Sequence, residues 1–420
     1  MLRKLTGPLV AALALCASLE TRADLALDDV SGAVLQSLES NNVAGAAVVI
    51  VKAGEVIHSS GHGLKEVGTA DRVDENTVFS LGSVSKVGNA ALVLRLVAAG
   101  LLDLDTDVSQ YLKSWTLPDS KFSGATKVTL RLLLSHTAGF NQWGYRDYSP
   151  GEALPSAIQT LNGSGPSKSS ALKFIYEPGT ANRYSGGGVT VSQVIVEDVT
   201  GLSYEQAARK YLFEPLGMTR STYQNPLPAS WGNIAKAHGE DGRLVALPRG
   251  WEAMPEMAAS GLWSSAADLT RLITALNDSI RGESDFLPQD IAQDMADREQ
   301  FTLFGLGPVV SGQGETHAIS HEGANDHYRA WFEVHTQTGD AFILLTNGGL
   351  GHLVTDEVRA FVSEKYDWND VPSRLDLSRE FKVHPNLFEP SYAVIWWGVG
   401  AAVFVGLCVV IIRRSRSARS

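Results

Sequence analysis

A serine and a lysine three residues apart, Ser83-Val84-Ser85-Lys86, stand at the head of an apolar run in this 420-residue chain. On a helix such a pair shares one face, so the lysine amine lies within reach of the serine hydroxyl. That spacing suits an acyl transfer in which Ser83 is the nucleophile and Lys86 takes its proton. An unperturbed ammonium titrates near ~10.4 and is a poor base at neutral pH, so the role demands burial or a neighbouring positive charge. Two further signatures offer partners for the same network, Tyr184-Ser185-Gly186 and His321-Glu322-Gly323. A tyrosine in a glycine-flanked turn can present its phenol oxygen to a pocket. His321 follows a short strand-like run over 316–320, where it could donate a hydrogen bond to a substrate carbonyl or carboxylate and Gly323 would let a substrate backbone come close.

Each signature also has a plainer reading. Ser83 could cap a helix, with Lys86 an ordinary solvated side chain. Most tyrosines bury their ring and bond the hydroxyl locally. The S-x-x-K pattern recurs at Ser170-Ala171-Leu172-Lys173, but a turn-rich stretch precedes that copy and Pro178-Gly179 closely follows it, leaving no long helix behind it. Ser83 instead follows the apolar Val78-Phe79-Ser80-Leu81-Gly82 and opens a helical run, 87–100, that closes on glycine. His321, Glu322 and His327 lack the spacing that sets two histidines and a glutamate on one helix face, so no metal is assigned. Neither a Walker A nor a dinucleotide fingerprint occurs, and no cofactor is expected.

The order and spacing of the three signatures resemble the penicillin-recognising serine hydrolases, in the branch holding class C β-lactamases, D-aminopeptidases, certain esterases and DD-peptidases. Connecting segments that chemistry alone would not demand share the likeness, among them Leu132-Leu133-Leu134-Ser135-His136-Thr137-Ala138-Gly139 and Ser260-Gly261-Leu262-Trp263-Ser264-Ser265. The resemblance implies that Ser83 is acylated, that Lys86 and Tyr184 share proton transfer, and that the strand bearing His321 and Gly323 lines the substrate cleft. It also implies an oxyanion hole made by the backbone N–H groups of Ser83 and Ala324, and a structural role for His136. Two departures stand out. Many relatives carry, two residues after the tyrosine, an asparagine that contacts the acylamide of a peptide or β-lactam, whereas this chain has Gly186. Class C enzymes carry lysine where His321 stands, which lowers the expectation of β-lactam turnover.

The elements that must position these residues are legible from periodicity. Runs at 46–51 and 55–60 flank Lys52-Ala53-Gly54, and runs at 328–335 and 341–346 flank a second turn, as two β-hairpins. With the strand before His321 the expectation is an α/β (α+β) domain of the DD-peptidase/β-lactamase type, an antiparallel sheet of about five strands flanked by helices at 29–38 and 354–366. A large, mainly helical insertion, about 101–297, would put Ser83 at its seam with the sheet. The expected organisation is a signal peptide at 1–23 cleaved after Ala23, the hydrolase domain at 24–366, a juxtamembrane stalk at 367–391, a transmembrane helix at 392–412 and a cytoplasmic basic tail at 413–420. Arg3 and Lys4 before an apolar run carry the first of these. The uncharged apolar stretch 392–412, followed by Arg413, Arg414, Arg416 and Arg419, carries the anchor and its orientation, with the domain outside the cytoplasm. The formal net charge of −11 makes nucleic acid an unsuitable partner. Both cysteines, Cys16 and Cys408, fall in the terminal segments, so the domain relies on its core without a disulfide. The expected function is an exported, membrane-anchored serine hydrolase cleaving a small peptide, D-amino-acid derivative or ester. A cell-wall DD-peptidase or β-lactamase, and a catalytically silent binder of wall peptides, are the alternatives.

Overall fold

The computed structural model describes residues 29–368, apart from 123–126, 147, 149–151, 229, 246–253 and 300–301. The expected signal segment, the expected transmembrane helix at 392–412, the basic tail and nearly all of the expected stalk lie outside the described residues. Among the described residues no helix is long and apolar enough to cross a membrane.

The first hairpin forms as the sequence suggests, with β1 (Gly45–Lys52) and β2 (Glu55–Gly63) closing through the pair Lys52 and Glu55. Ala53 and Gly54 both have positive φ, 50° and 81°, as a two-residue turn matching the strand twist requires. Two three-residue strands, β3 (Val78–Ser80) and β4 (Trp263–Ser265), pair with each other as a separate small sheet. The remaining strands are β5 (Val309–Ser311), β6 (Ala318–Asn325), β7 (Tyr328–His335) and β8 (Ala341–Thr346). The main sheet is antiparallel in the order β2-β1-β8-β7-β6-β5, six strands where about five were expected. The additional one, β5, is too short for alternation to show. The third signature does not follow a strand, as the run at 316–320 suggested, but lies inside β6, which continues to a tight turn onto β7.

β1 is apolar on both faces because both are covered. Ala46, Val48 and Ile50 pack with the terminal helices α1 (Asp29–Ser40) and α5 (Gly351–Tyr366), while Ala47, Val49 and Val51 join the core under the insertion. Trp368, just beyond α5, is 9% exposed and packs in the same cluster as the terminal helices, so the last described residue still belongs to the domain. Between the two halves of the sheet the chain forms α2 (Ser85–Ala98), then within the insertion α3 (Gly186–Thr200), α4 (Ala266–Arg281) and several shorter helices, numbering only those longer than ten residues. α2 is buried on nearly every side, with Val87, Ala90, Ala91, Leu94 and other residues fully enclosed. Each larger apolar side chain so enclosed contributes about 1.5–3 kcal/mol relative to exposure. Polar contacts then fix the rotation of α2. Asn89 donates to Ser192 of α3 at 2.9 Å and accepts from the Tyr204 hydroxyl at 2.9 Å, and the Ser85 hydroxyl accepts from the Leu262 amide at 2.9 Å. The helix that must present Ser83 and Lys86 is thereby locked to the helix that follows Tyr184.

Candidate active site

Ser83 is not the cap of α2. Val84 holds that position without any side-chain cap, and Ser83 lies one residue earlier in the short turn Gly82–Val84. Its hydroxyl faces Lys86, whose Nζ stands 3.0 Å from Ser83 Oγ and 2.7 Å from the carbonyl of Ala259. An ammonium donates across the first contact, whereas a free amine accepts the serine proton there. Lys86 is 3% exposed, and burial lowers its pKa from 10.5 to about 7. Removing a cation from water without a carboxylate beside it favours the neutral amine. The solvated reading of Lys86 is excluded, and so is the second S-x-x-K copy as a competitor, since Ser170 and Lys173 are exposed and stand outside any helix.

Tyr184 precedes the cap of α3 and is held by residues 136–143, of which the sequence marked only the part up to Gly139, as a shared segment. The amide of Arg183 donates to the His136 carbonyl at 3.0 Å, and the amides of Gly186 and Gly187 donate to the carbonyls of Trp143 and Gln142 at 3.0 and 3.2 Å. Ser185 caps α3 through Gly188 and sends its own hydroxyl to Gln142. These bonds bring the Tyr184 ring over Lys86, with Nζ 4.8 Å from the ring centroid. The approach is close where the backbones meet, since a Cβ at Gly186 would stand 3.0 Å from the Tyr145 ring and 3.1 Å from the Trp143 carbonyl oxygen and would push them back by a few tenths of an ångström.

His136 enters the site although the sequence reading gave it no chemical role. It sits at φ 62°, in the left-handed region a non-glycine residue rarely adopts. Its ring centroid lies 4.4 Å from that of Tyr184 and 4.7 Å from that of Phe304. The Ser185 amide donates to its Nδ1, so the neutral ring carries its proton on Nε2. Burial, with the nearby Lys86 and His321, keeps its pKa well below the ordinary value, and the ring stays neutral. No local pattern could have found it, since its neighbours come from three separate segments.

His321 is buried, with its ring 6.4 Å from Tyr184 and 6.2 Å from Phe304. Its Nδ1 meets the Glu322 carbonyl at 2.6 Å. A carbonyl only accepts, so Nδ1 carries the proton and Nε2 of the neutral ring is an acceptor. Donation from Nε2 to a substrate, as the sequence reading supposed, therefore requires the imidazolium. The register of β6 with β5 ends at Ser320, and beyond it the Leu81–Gly82 backbone comes close to Gly323 and Ala324. A Cβ at Gly323 would overlap the Leu81 carbonyl, and one at Gly82 would stand 2.6 Å from the Ala324 nitrogen. The Ala324 amide thus lies beside the Gly82–Ser83 peptide.

Behind the site Glu256 is fully buried, its Oε1 accepting from Thr160 at 2.9 Å, and burial raises its pKa to about 7. Its carboxyl therefore stabilises the fold when protonated. That contribution is complete below the unfolded pKa near 4.5 and is lost as pH rises toward about 7, a change of about 3 kcal/mol. Glu256→Gln is expected to stabilise the protein relative to wild type at pH 8 and to lose most of that advantage at pH 5, read as the difference in thermal midpoint. An advantage independent of pH would show that the carboxyl is not buried as described.

A profile of the Beta-lactamase family matches residues 30–362. Penicillin-binding protein 4 of Amycolatopsis lactamdurans is 29% identical over 340 residues, covering 77% of this chain and 86% of that protein. The esterase EstB of Burkholderia gladioli is 28% identical over 323 residues, covering 71% of this chain and 78% of the esterase. Among solved structures, the octameric penicillin-binding protein homologue from Pyrococcus abyssi aligns with a TM-score of 0.66 at 22% identity, over 80% of this chain and 76% of that one. That last likeness speaks for the fold, which has the β-lactamase arrangement of an antiparallel sheet and helices. Because the family profile runs from α1 to α5 and takes in all three signatures, the chain belongs to the Beta-lactamase family and is a serine hydrolase.

Proposed function

We propose that the protein cleaves a small ester or amide through an acyl-Ser83 intermediate. The observation that carries this reading is the buried Lys86 amine 3.0 Å from Ser83 Oγ, with its pKa lowered to about 7. The free amine takes the hydroxyl proton as Oγ bonds to the substrate carbonyl carbon, and the negative charge passes to the carbonyl oxygen. The backbone N–H groups of Ser83 and Ala324 receive that oxyanion, a contribution of about 3 kcal/mol for each such donor. As the intermediate collapses, the proton moves through Lys86 and Tyr184 to the leaving alcohol or amine. Water, deprotonated by the same pair, then releases the acid and restores Ser83. His136 packs against the Tyr184 ring at a tilt and anchors the amide of Ser185, which holds the phenol in place.

A DD-peptidase or β-lactamase reading is less well supported, because Gly186 provides no amide for an acylamide group and a larger residue there would press on Tyr145. A silent binder has no use for a desolvated lysine amine held against a serine hydroxyl, an arrangement of the kind that perturbs groups at reactive sites. The apolar stretch 392–412 with its basic tail supports an exported domain anchored in the membrane, with the C-terminus in the cytoplasm. The test is the full chain, expressed and fractionated, offered p-nitrophenyl acetate, a D-alanyl anilide and a chromogenic cephalosporin. Hydrolysis of the ester or anilide by the membrane fraction, lost in Ser83→Ala, is the expected result. Cephalosporin turnover at a higher kcat/KM than either would overturn the substrate assignment, and activity wholly in the unsedimented fraction would overturn the anchor.

A further inference from the structure

The loop that holds Tyr184 also puts an indole at the rim of the site. Trp143 is 60% exposed, while its ring centroid stands only 6.0 Å from that of the catalytic tyrosine. The other rings around Tyr184 are enclosed to a greater degree: His136 and His321 are buried and Phe304 is half-buried. An exposed indole this close to a reactive centre offers an amphipathic ring face on which a substrate group can pack.

Several polar groups of this loop are engaged within the protein. The Trp143 carbonyl accepts from Gly186, and the Gln142 carbonyl accepts from Gly187 and from the Ser185 hydroxyl. The Gln142 side-chain amide donates to the Gly144 carbonyl. At the start of α3, Gly186 supplies no side chain, and a Cβ there would press on the Tyr145 ring and the Trp143 carbonyl oxygen. Among the described residues, the side-chain amides of Gln142 and Asn182 near Tyr184 are turned to partners within the protein, and the loop presents an aromatic face beside the tyrosine.

Building on the acyl-Ser83 reading, we propose that Trp143 is a specificity-determining residue, the wall of an acyl-group subsite that selects substrates with an aryl or other bulky apolar acyl group and no acylamido substituent. The indole covers one face of that group as the ester carbonyl settles between Ser83 Oγ and the amides of Ser83 and Ala324. Gly186 lets the loop approach closely enough for the indole to do so.

The experiment compares kcat/KM for three p-nitrophenyl esters of equal leaving group, the acetate, the 3-phenylpropanoate and the N-acetylglycinate. Wild type, Trp143→Ala and Trp143→Phe are assayed, with thermal midpoints recorded to show that each is folded. Wild type is expected to prefer the phenylpropanoate to the acetate by about tenfold or more, the worth of one good aromatic contact with its buried area. The N-acetylglycinate should gain nothing over the acetate. Trp143→Ala should erase the phenylpropanoate preference, and Trp143→Phe should restore most of it. An unchanged preference in folded Trp143→Ala, or a wild type that favours the N-acetylglycinate, would overturn the subsite while leaving the hydrolase reading intact. Absence of Ser83-dependent turnover of all three esters would remove the reading on which the subsite rests, and the subsite with it.

Discussion

Replacing Ser83 with alanine is expected to lower kcat/KM for an ester by about 10⁴-fold or more, the scale seen when a covalent nucleophile is removed while binding groups stay in place. The loss should fall on kcat. Ser83 makes no helix cap and lies in a short turn whose backbone bonds do not use its side chain, so truncation removes the hydroxyl and leaves the turn intact. The neighbouring Ser85, not Ser83, ties the turn to the rest of the fold, through Gly82 and Leu262. Unchanged thermal stability should therefore accompany the loss of turnover. A variant that keeps a tenth of the wild-type rate would show that the acyl group is carried elsewhere.

The second large effect belongs to Lys86. With its pKa lowered to about 7, the amine is protonated and inactive as a base below that pH and free above it. The kcat/KM of wild type should therefore rise about tenfold per unit on the acid side and level off above about pH 7, since this ratio reports the free enzyme. Lys86→Ala should lose roughly 10²-fold or more at pH 8, as expected for a group that moves a proton in the transition state, and its residual rate should not show the limb at about 7. Tyr184→Phe should lose a similar factor. The double variant should lose much less than the product of the two, because the residues serve one proton route. Persistence of the limb at the same pH in Lys86→Ala would assign the titration to another group. An additive double variant would separate the tyrosine from the route.

The parts of this molecule that sequence made legible are those whose determinants are local. Ser83 and Lys86 meet because three residues of helix bring them together, and the Ala53-Gly54 turn announces its hairpin by the backbone conformation glycine permits. Long-range determinants were hidden. β3 and β4 are three residues each and pair across more than 180 residues of chain, Phe79 opposite Ser264, so neither shows a strand pattern of its own. β6 was placed too early because its alternation is interrupted at His321-Glu322-Gly323, where glycine is required by the Leu81 carbonyl and not by a turn. The same holds in the site. The spacing demanded a depressed lysine pKa, but only the tertiary structure shows that desolvation supplies it. Gly186 was visible as a departure from relatives; the close approach of Tyr145 and of the Trp143 carbonyl to it was not. His136 was visible as part of a segment, with no sign that Tyr184 would rest against its ring.

The central claim is that acyl chemistry occurs on Ser83, and the most direct measurement is the site of a covalent adduct. The full chain, treated with a fluorophosphonate, should take up one phosphonyl group, and peptide mapping by mass spectrometry should place it on Ser83, in the peptide that also contains Lys86. Labelling should quicken as pH rises through about 7, as Lys86 loses its proton. An adduct on Ser170, or a folded protein that takes up no label at pH 8, would contradict the account.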